Sequence, residues 1–134
     1  MLYSGENLKE ITYSGWGQVE GGFVWSISKY SSLLLPIKPQ ADPFGIQLVV
    51  EPFLVAGKYT NQSVEVFCNG LYVLGHTSER ENKEILFVEI HPSVSAFGSL
   101  KLDFIFPNAA SPKNLGLSQD MRMLGYKLYE LQML

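Results

Sequence analysis

Apolar and polar residues alternate with a period of two along most of this chain, and the 3.6-residue period of a helix is nearly absent. Successive side chains of a strand point to opposite faces, so each alternating run marks a strand with one buried side. The clearest run is Ser99–Phe106, with Leu100, Leu102, Phe104 and Phe106 set to face inward and Lys101 and Asp103 outward. Val64, Val66 and Cys68 share a face in the same way, as do Ile46, Leu48 and Val50 within the long run Gly45–Val55. Phe23–Ile27, Ser32–Ile37, Leu71–His76 and Glu84–Ile90 are rich in aromatic, β-branched or leucine residues and also read as strands. Leu33–Leu34–Leu35 reads as a buried stretch. Lys127–Leu134 alternates too, with a helix as the competing reading.

Turn residues separate these runs. Asn69–Gly70 between two β-rich segments is the strongest short hairpin signal and predicts a type I′ turn with positive φ at both residues. The polar segment Ser28–Ser31 predicts a second hairpin turn, and Gly57–Gln62, Thr77–Lys83 and Val94–Gly98 predict loops. Asn7–Ser14 reads as a turn or a short strand. Pro52 has no N–H for a ladder, which predicts a bulge or an edge there. About eight strands with short connections predict an all-β fold, an antiparallel two-sheet β-sandwich or jelly roll with under one-tenth helix. The chain should cross between the sheets in the loop Asn108–Met121.

Composition sharpens the picture in two respects. A length of 134 residues fits one domain over 1–134, which stands alone or belongs to a larger multidomain protein. Charged residues are 17% and hydrophobic residues 46%, so charge falls below the usual quarter of a soluble domain. That shortage suits a largely β protein or a surface covered by a partner. A net charge of −3 argues against a nucleic-acid partner, which would call for a basic patch. No apolar run approaches the ~20 residues of a membrane span. Met1–Glu6 has neither the basic region nor the apolar stretch of a signal peptide, which predicts a cytoplasmic protein. Cys68 has no second cysteine to pair with and reads as an inert core thiol.

Two dense stretches hold the candidate chemistry. The first, Gly15–Ser26, contains both tryptophans, Trp16 and Trp25, with Glu20 between them and four glycines around them. The second, Phe106–Gly125, contains Asp120 and Arg122 among prolines and apolar residues. Isolated charges in such surroundings need partners. Arg122 carries a fork that holds carboxylates, so the two stretches should meet, with Arg122 bonded to Glu20 or Asp120 and a tryptophan alongside. An indole face stacks on the C–H face of a sugar ring while carboxylate and guanidinium groups take its hydroxyls, so Trp16, Glu20, Trp25, Asp120 and Arg122 are the candidate ligand-binding residues. The competing reading makes the charges a structural ion pair and Trp25 a core residue, the latter being the favoured place for it. No catalytic set is complete: Gly98–Ser99 lacks a nucleophile elbow, the glycines at 15, 17, 21 and 22 do not lie between a strand and a helix, and the acids are scattered. His76 and His91 have no ligand-spaced companions, so no metal site or cofactor is expected. Calcium is the one metal left open, through Asp103, Asn108 and Asp120 near loops.

The two stretches together resemble an accessory β-sandwich domain, similar to a carbohydrate-binding module, attached to bacterial cell-envelope glycosyltransferases and polysaccharide-assembly proteins. Its pattern runs Gly-Trp, Glu and Trp-Ser, then Pro-x-Ala-x-Ser-Pro and Leu-Gly-x-Ser-x-Asp-x-Arg-x-Leu-Gly. Gly15–Trp16, Glu20, Trp25–Ser26, Pro107, Ala109 or Ala110, Ser111–Pro112, Leu115–Gly116, Ser118, Asp120, Arg122 and Leu124–Gly125 match, and Asn69–Gly70 matches its central hairpin. Val19 and Phe23 depart from it, standing where proline and glycine are common. The resemblance implies a non-catalytic, carbohydrate-binding-like accessory module in glycan or polysaccharide biosynthesis. It implies a glycan ligand and a neighbouring glycosyltransferase domain as partners. The alternative is a structural, oligomerisation or protein-interaction domain that binds no sugar and packs as a homo-oligomer, and a stand-alone enzyme acting on sugars is the weakest reading.

Overall fold

The computed structural model describes residues 1–134. Its strands are β1 Leu2–Ser4, β2 Thr12–Ser14, β3 Val24–Trp25, β4 Tyr30–Pro36, β5 Phe44–Pro52, β6 Gln62–Cys68, β7 Leu71–Ser78, β8 Glu84–Ile90, β9 Ser99–Ile105 and β10 Tyr126–Met133. Strands make up 51% of the chain and helix 7%, the latter a 3₁₀ segment over Gly5–Glu10 and one turn of helix, α1, over Pro92–Ser95. The first sheet runs β1–β10–β5–β8, with β3 beside β1 on the same side of β10, and the second runs β2–β4–β9–β6–β7. Every pairing is antiparallel. The fold is the two-sheet antiparallel sandwich that the alternation predicts, with ten strands because two short ones, β1 and β2, add to the eight runs. No helix is long and apolar enough to cross a membrane.

The inward faces follow the period of two. Ile46, Leu48 and Val50 of β5 meet Val64, Val66 and Cys68 of β6 and Leu100, Leu102 and Phe104 of β9 in one core cluster. Each such side chain contributes roughly 1.5–3 kcal/mol by leaving water. Burial pushes the Cys68 thiol up to about 11, with Asp103 adding to the effect, which keeps it protonated and unreactive at neutral pH. Leu33 and Leu35 are fully buried while Leu34, between them, is 37% exposed, so this stretch alternates where a run of three leucines suggested burial throughout.

Other expectations are corrected by pairing. Ser28–Ser31 is not a hairpin turn. Ser26 N donates to Tyr126 O, which commits β3 to the first sheet, while Tyr30 already pairs with Ile105 in the second. The polar segment is therefore a bridge between sheets. Pro52 ends a central strand opposite Tyr126, where its missing N–H costs no ladder bond, and the bulge lies further along the pair, at Tyr129 of β10 opposite Val49–Val50. That extra residue puts Leu128 and Leu131, three apart, on the same inner face, which is why a helix competed for this segment. The β7 strand runs on to Ser78, where a loop was expected. The 92–95 helical turn takes the place of part of the Val94–Gly98 loop, capped by His91 Nδ1, which accepts from Ser93 N at 3.2 Å. The Asn108–Met121 loop does carry the chain from β9 in one sheet to β10 in the other.

At the β6–β7 turn Asn69 has φ 47° and Gly70 φ 88°, the left-handed pair that a type I′ turn requires. Gly70→Val should cost about 1–3 kcal/mol through backbone strain at this turn. Urea or thermal melts read this directly, and an unchanged midpoint would contradict it.

Candidate functional site

Residues 15–27 form a hairpin that leans out of the first sheet. Gly17 N donates to Trp25 O at 2.9 Å, Ile27 N to Gly15 O at 2.9 Å, and Glu20 and Phe23 exchange bonds at 2.8 and 3.1 Å. Its tip is Gly21–Gly22, with φ of 55° and 90°, a second pair of positive-φ residues where side chains would strain the turn. The returning arm lies against β10, with Trp25 opposite Lys127 and Val24 opposite Leu128. The second dense stretch comes alongside. It is closed on itself by an Ala110–Leu124 bridge, and it meets the hairpin where Ser26 Oγ accepts from Gly125 N at 3.1 Å and Tyr126 N at 2.9 Å.

Three of the five candidate residues are brought together by this meeting. Arg122 Nη1 donates to Glu20 Oε2 at 3.2 Å and Nη2 to Asp120 Oδ2 at 2.8 Å. Its Nε donates to both Asp120 oxygens, at 3.0 and 3.1 Å, and its backbone N to Asp120 Oδ1 at 3.0 Å. The guanidinium stands beside Gly17, its Nη1 3.9 Å from where a Cβ would be. Side chains of Arg122, Glu20 and Asp120 are 37%, 47% and 28% exposed, so water reaches the cluster. The side-chain and backbone bonds from Arg122 hold the Asp120 carboxyl below the usual carboxylate range, and bonding to Asp120 raises the guanidinium in turn. Most of the guanidinium fork is already engaged, so the cluster acts first as a tie between the two stretches.

The tryptophans go elsewhere, to opposite sides of the first sheet. Trp16 Nε1 donates to Ser32 O at 2.9 Å, and its ring meets Phe104 and Phe106 edge-on at 5.6 and 6.3 Å, packing against the core. Trp25, expected in the core, faces out. Val24 and Ser26 take the inner positions, at 1% and 0% exposure, because Ser26 is needed there as the acceptor for Gly125 and Tyr126. Half-buried Trp25 sits in an outward aromatic group, edge-on to Phe23 at 6.1 Å and to Phe53 at 6.0 Å. Phe23 also packs on Tyr129 at 5.4 Å, and Phe53 on Tyr59 at 6.3 Å. Lys127 Nζ stands 5.2 Å from the Trp25 ring and donates to Glu51 Oε2 at 3.3 Å, and Lys83 Nζ lies 4.0 Å over Tyr129. Sequence reasoning missed Phe23, Phe53, Tyr59, Tyr129, Lys127 and Glu51. The signal was available in β10, where Lys127 and Tyr129 alternate with Tyr126 and Leu128, but the bulge hid which face they take.

No three His, Cys, Asp or Glu side chains lie together as a metal would require. The three oxygen donors left open for calcium are apart and individually engaged: Asp103 accepts from Ser32 Oγ at 2.6 Å, Asn108 Nδ2 donates to Asn61 Oδ1 at 2.9 Å, and Asp120 holds Arg122. His76 Nε2 lies 2.8 Å from Glu84 Oε2, joining the edges of the two sheets. The largest cavity, about 370 Å³, opens elsewhere, between Pro36, Ile37, Phe44, Met133 and Leu134, with Lys38 and Gln40 as its polar side chains.

The whole chain is similar in fold to carbohydrate-binding modules. It matches a CBM36 module in complex with calcium and xylotriose at TM-score 0.60 and 11% identity, over 100% of this chain and 99% of that one. The CBM36-1 domain of a multidomain xylanase from the hindgut metagenome of Trinervitermes trinervoides matches at 0.62 and 8%, over 99% and 94%. A family 35 carbohydrate-binding module from Clostridium thermocellum matches at 0.59 and 14%, over 99% and 97%. No family model and no curated protein matches the sequence. At these identities the likeness is one of fold.

Because the charge cluster is partly hydrated, Arg122→Ala should cost only about 1 kcal/mol, less than the 3–5 kcal/mol that breaking a fully buried pair would cost. The Asp120 contribution is complete above the ordinary carboxylate value and is lost as pH falls through its lowered folded value. Carboxyl NMR titration should therefore show the Asp120 midpoint moving upward in Arg122→Ala, and an unmoved midpoint would refute the assignment.

Proposed function

We propose that this chain is a non-catalytic sugar-binding module whose contact is the outward aromatic group centred on Trp25. The observation that carries the reading is the turned-out indole, held between Phe23 and Phe53 with Lys127 and Glu51 beside it, on a sandwich built like carbohydrate-binding modules. Aromatic faces take sugar C–H groups, and the adjacent ammonium and carboxylate take hydroxyls. Glu20, at the hairpin next to Phe23, borders this group, with Arg122 and Asp120 holding it in place. Trp16 supports the site from the inner side of the hairpin. Attachment to a glycosyltransferase or polysaccharide-assembly protein belongs to the same proposal and rests on the motif resemblance between residues 15 and 125.

A second reading, an interaction domain without a sugar ligand, is favoured by one observation: Ile85 and Phe87 on the edge strand β8 are 66% and 54% exposed. The two separate on a glycan array followed by ligand-observed NMR with the purified chain. The sugar-binding reading expects saturable binding that Trp25→Ala weakens about tenfold, roughly 1.4 kcal/mol, with little change in Tm. Binding that Trp25→Ala leaves intact would move the site, and no binding to any glycan would favour the interaction domain.

A further inference from the structure

The strand register arranges the outer face of the first sheet in cross-strand rows. Leu2, Gln132, Gln47 and Phe87 form one row, and Ser4, Glu130, Val49 and Ile85 the next. Trp25, Lys127 and Glu51 form a third, which is the aromatic site already described. The first row ends in an aromatic ring that the Trp25 site does not use. Phe87 is 54% exposed, and its ring lies across β5 at Gly45, where an added Cβ would fall 2.5 Å from Cε2 and Cζ. Any side chain at position 45 would lift the ring. With glycine there, one ring face rests on the strand and the other is open to a ligand.

Beside that ring stand two carboxamides. Gln47 is the direct cross-strand neighbour of Phe87, and Gln132 that of Gln47. The only glutamine side chains that donate hydrogen bonds within the chain are Gln40 and Gln62, so both amides on this face keep their donors and acceptors for an outside partner. An open ring face next to unengaged amides is suited to a polyhydroxylated ring, with C–H groups on the aromatic and hydroxyls on the amides. Charge narrows the class. Glu51, Glu89 and Glu130 lie on or beside this face against Lys127 and Lys83, an acidic balance that opposes anionic sugars.

We propose that Phe87, Gln47 and Gln132 form a second carbohydrate subsite, so that the module holds a neutral glycan chain laid diagonally across the strands. This rests on the Trp25 reading and extends it. Gln47 and Glu51 are four residues apart on one strand, about 13 Å at the rise of a β-strand, and β3 and β8, which carry Trp25 and Phe87, are three strand spacings apart, about 14 Å. A single sugar ring cannot touch both rows, while a chain of several rings reaches from Phe87 over Val49 and Ile85 to Trp25.

The test is calorimetric titration of the full chain with neutral β-1,4-linked gluco- and xylo-oligosaccharides, from disaccharide to hexasaccharide, with oligogalacturonates as the charge control. The expected result is affinity that rises with chain length, by about tenfold or more once both rows are spanned, the factor that roughly 1.4 kcal/mol of added contact gives. Phe87→Ala and, separately, Gln47→Ala should abolish that length gain and leave disaccharide affinity unchanged, whereas Trp25→Ala weakens every length. Melting curves check that each variant is folded. Binding that depends on Trp25 but is equal for disaccharide and hexasaccharide, and indifferent to Phe87→Ala, overturns the second subsite and leaves the first. Tighter binding of oligogalacturonates overturns the neutral class. No saturable binding of any probe overturns both readings.

Discussion

The structure depends on a single buried hydroxyl. Ser26 Oγ accepts the backbone N–H groups of Gly125 and Tyr126, and Ser26 N donates to Tyr126 O, so three bonds join residues about a hundred positions apart. The space is closed to anything larger. A Cβ at Gly125 would lie 2.8 Å from Ser26 Oγ and 2.9 Å from the Phe106 ring, and Gly125 O is held by Phe53 N at 2.8 Å. Buried polar groups must be paired, so the hairpin can approach β10 in only one register. Tyr126 is then aimed between the sheets, where its hydroxyl donates to Gln62 O at 3.0 Å and takes a bond from Ser78 Oγ at 2.7 Å. Burial drives that phenol up to about 12, so it remains a neutral donor.

The outward turn of Trp25 follows from the same hydroxyl. With Ser26 required inside, the period of two puts Val24 inside as well, and the Trp25 indole is left on the outer face. A reading that ranks residues by size puts tryptophan in and serine out. The partners that reverse this ranking lie at positions 125 and 126, and no local pattern reveals them. The sheet membership of β3 and β4 was hidden for the same reason, since pairing is decided by Tyr126 and Ile105 and not by the polar segment Ser28–Ser31, whose last two residues already belong to β4. What local chemistry does decide was legible: the inner faces of β5, β6 and β9, the Asn69–Gly70 turn, and the pairing of Arg122 with Glu20 or Asp120, where the structure shows both. Arg122 was readable because a charge among glycines and apolar residues has few possible partners, whatever the fold.

The tie and the aromatic group divide the labour around the hairpin. Glu20–Arg122 reaches across 102 positions of sequence, yet its side chains are 37% and 47% exposed, so its Coulomb energy is screened to about 1 kcal/mol or less. Its larger consequence is geometric. The hairpin tip is a Gly21–Gly22 turn with little stiffness of its own, and the ion pair fixes it from the side while Phe23 anchors it on Tyr129 and under Lys127. A contact surface made of ring faces works only when the rings are already placed, because ordering them on binding would offset the gain. Edge-to-face packing of Phe23, Trp25 and Phe53 supplies that order in the free chain, as the proposed contact would need.

The same surface accounts for the unusual composition. A charged share of 17% is low for a domain whose two sheets each have a face turned to solvent. In a sandwich of this kind the outer positions ordinarily carry lysine and glutamate. On the first sheet many of them carry Trp25, Tyr129, Ile85, Phe87, Val49, Gln47 and Gln132 instead, with glycine at 45 to let a ring lie flat. Edge strands bearing exposed apolar residues invite pairing with other chains, a cost that a free-standing domain normally avoids with charge. On the exposed side of β8 only Glu89 provides it, since Glu84 is bound to His76. The outer face of the first sheet thus mixes exposed rings and unengaged amides with a few charges, Glu51, Lys127, Glu130 and Glu89, and it is this mixture that lowers the charged share of the chain.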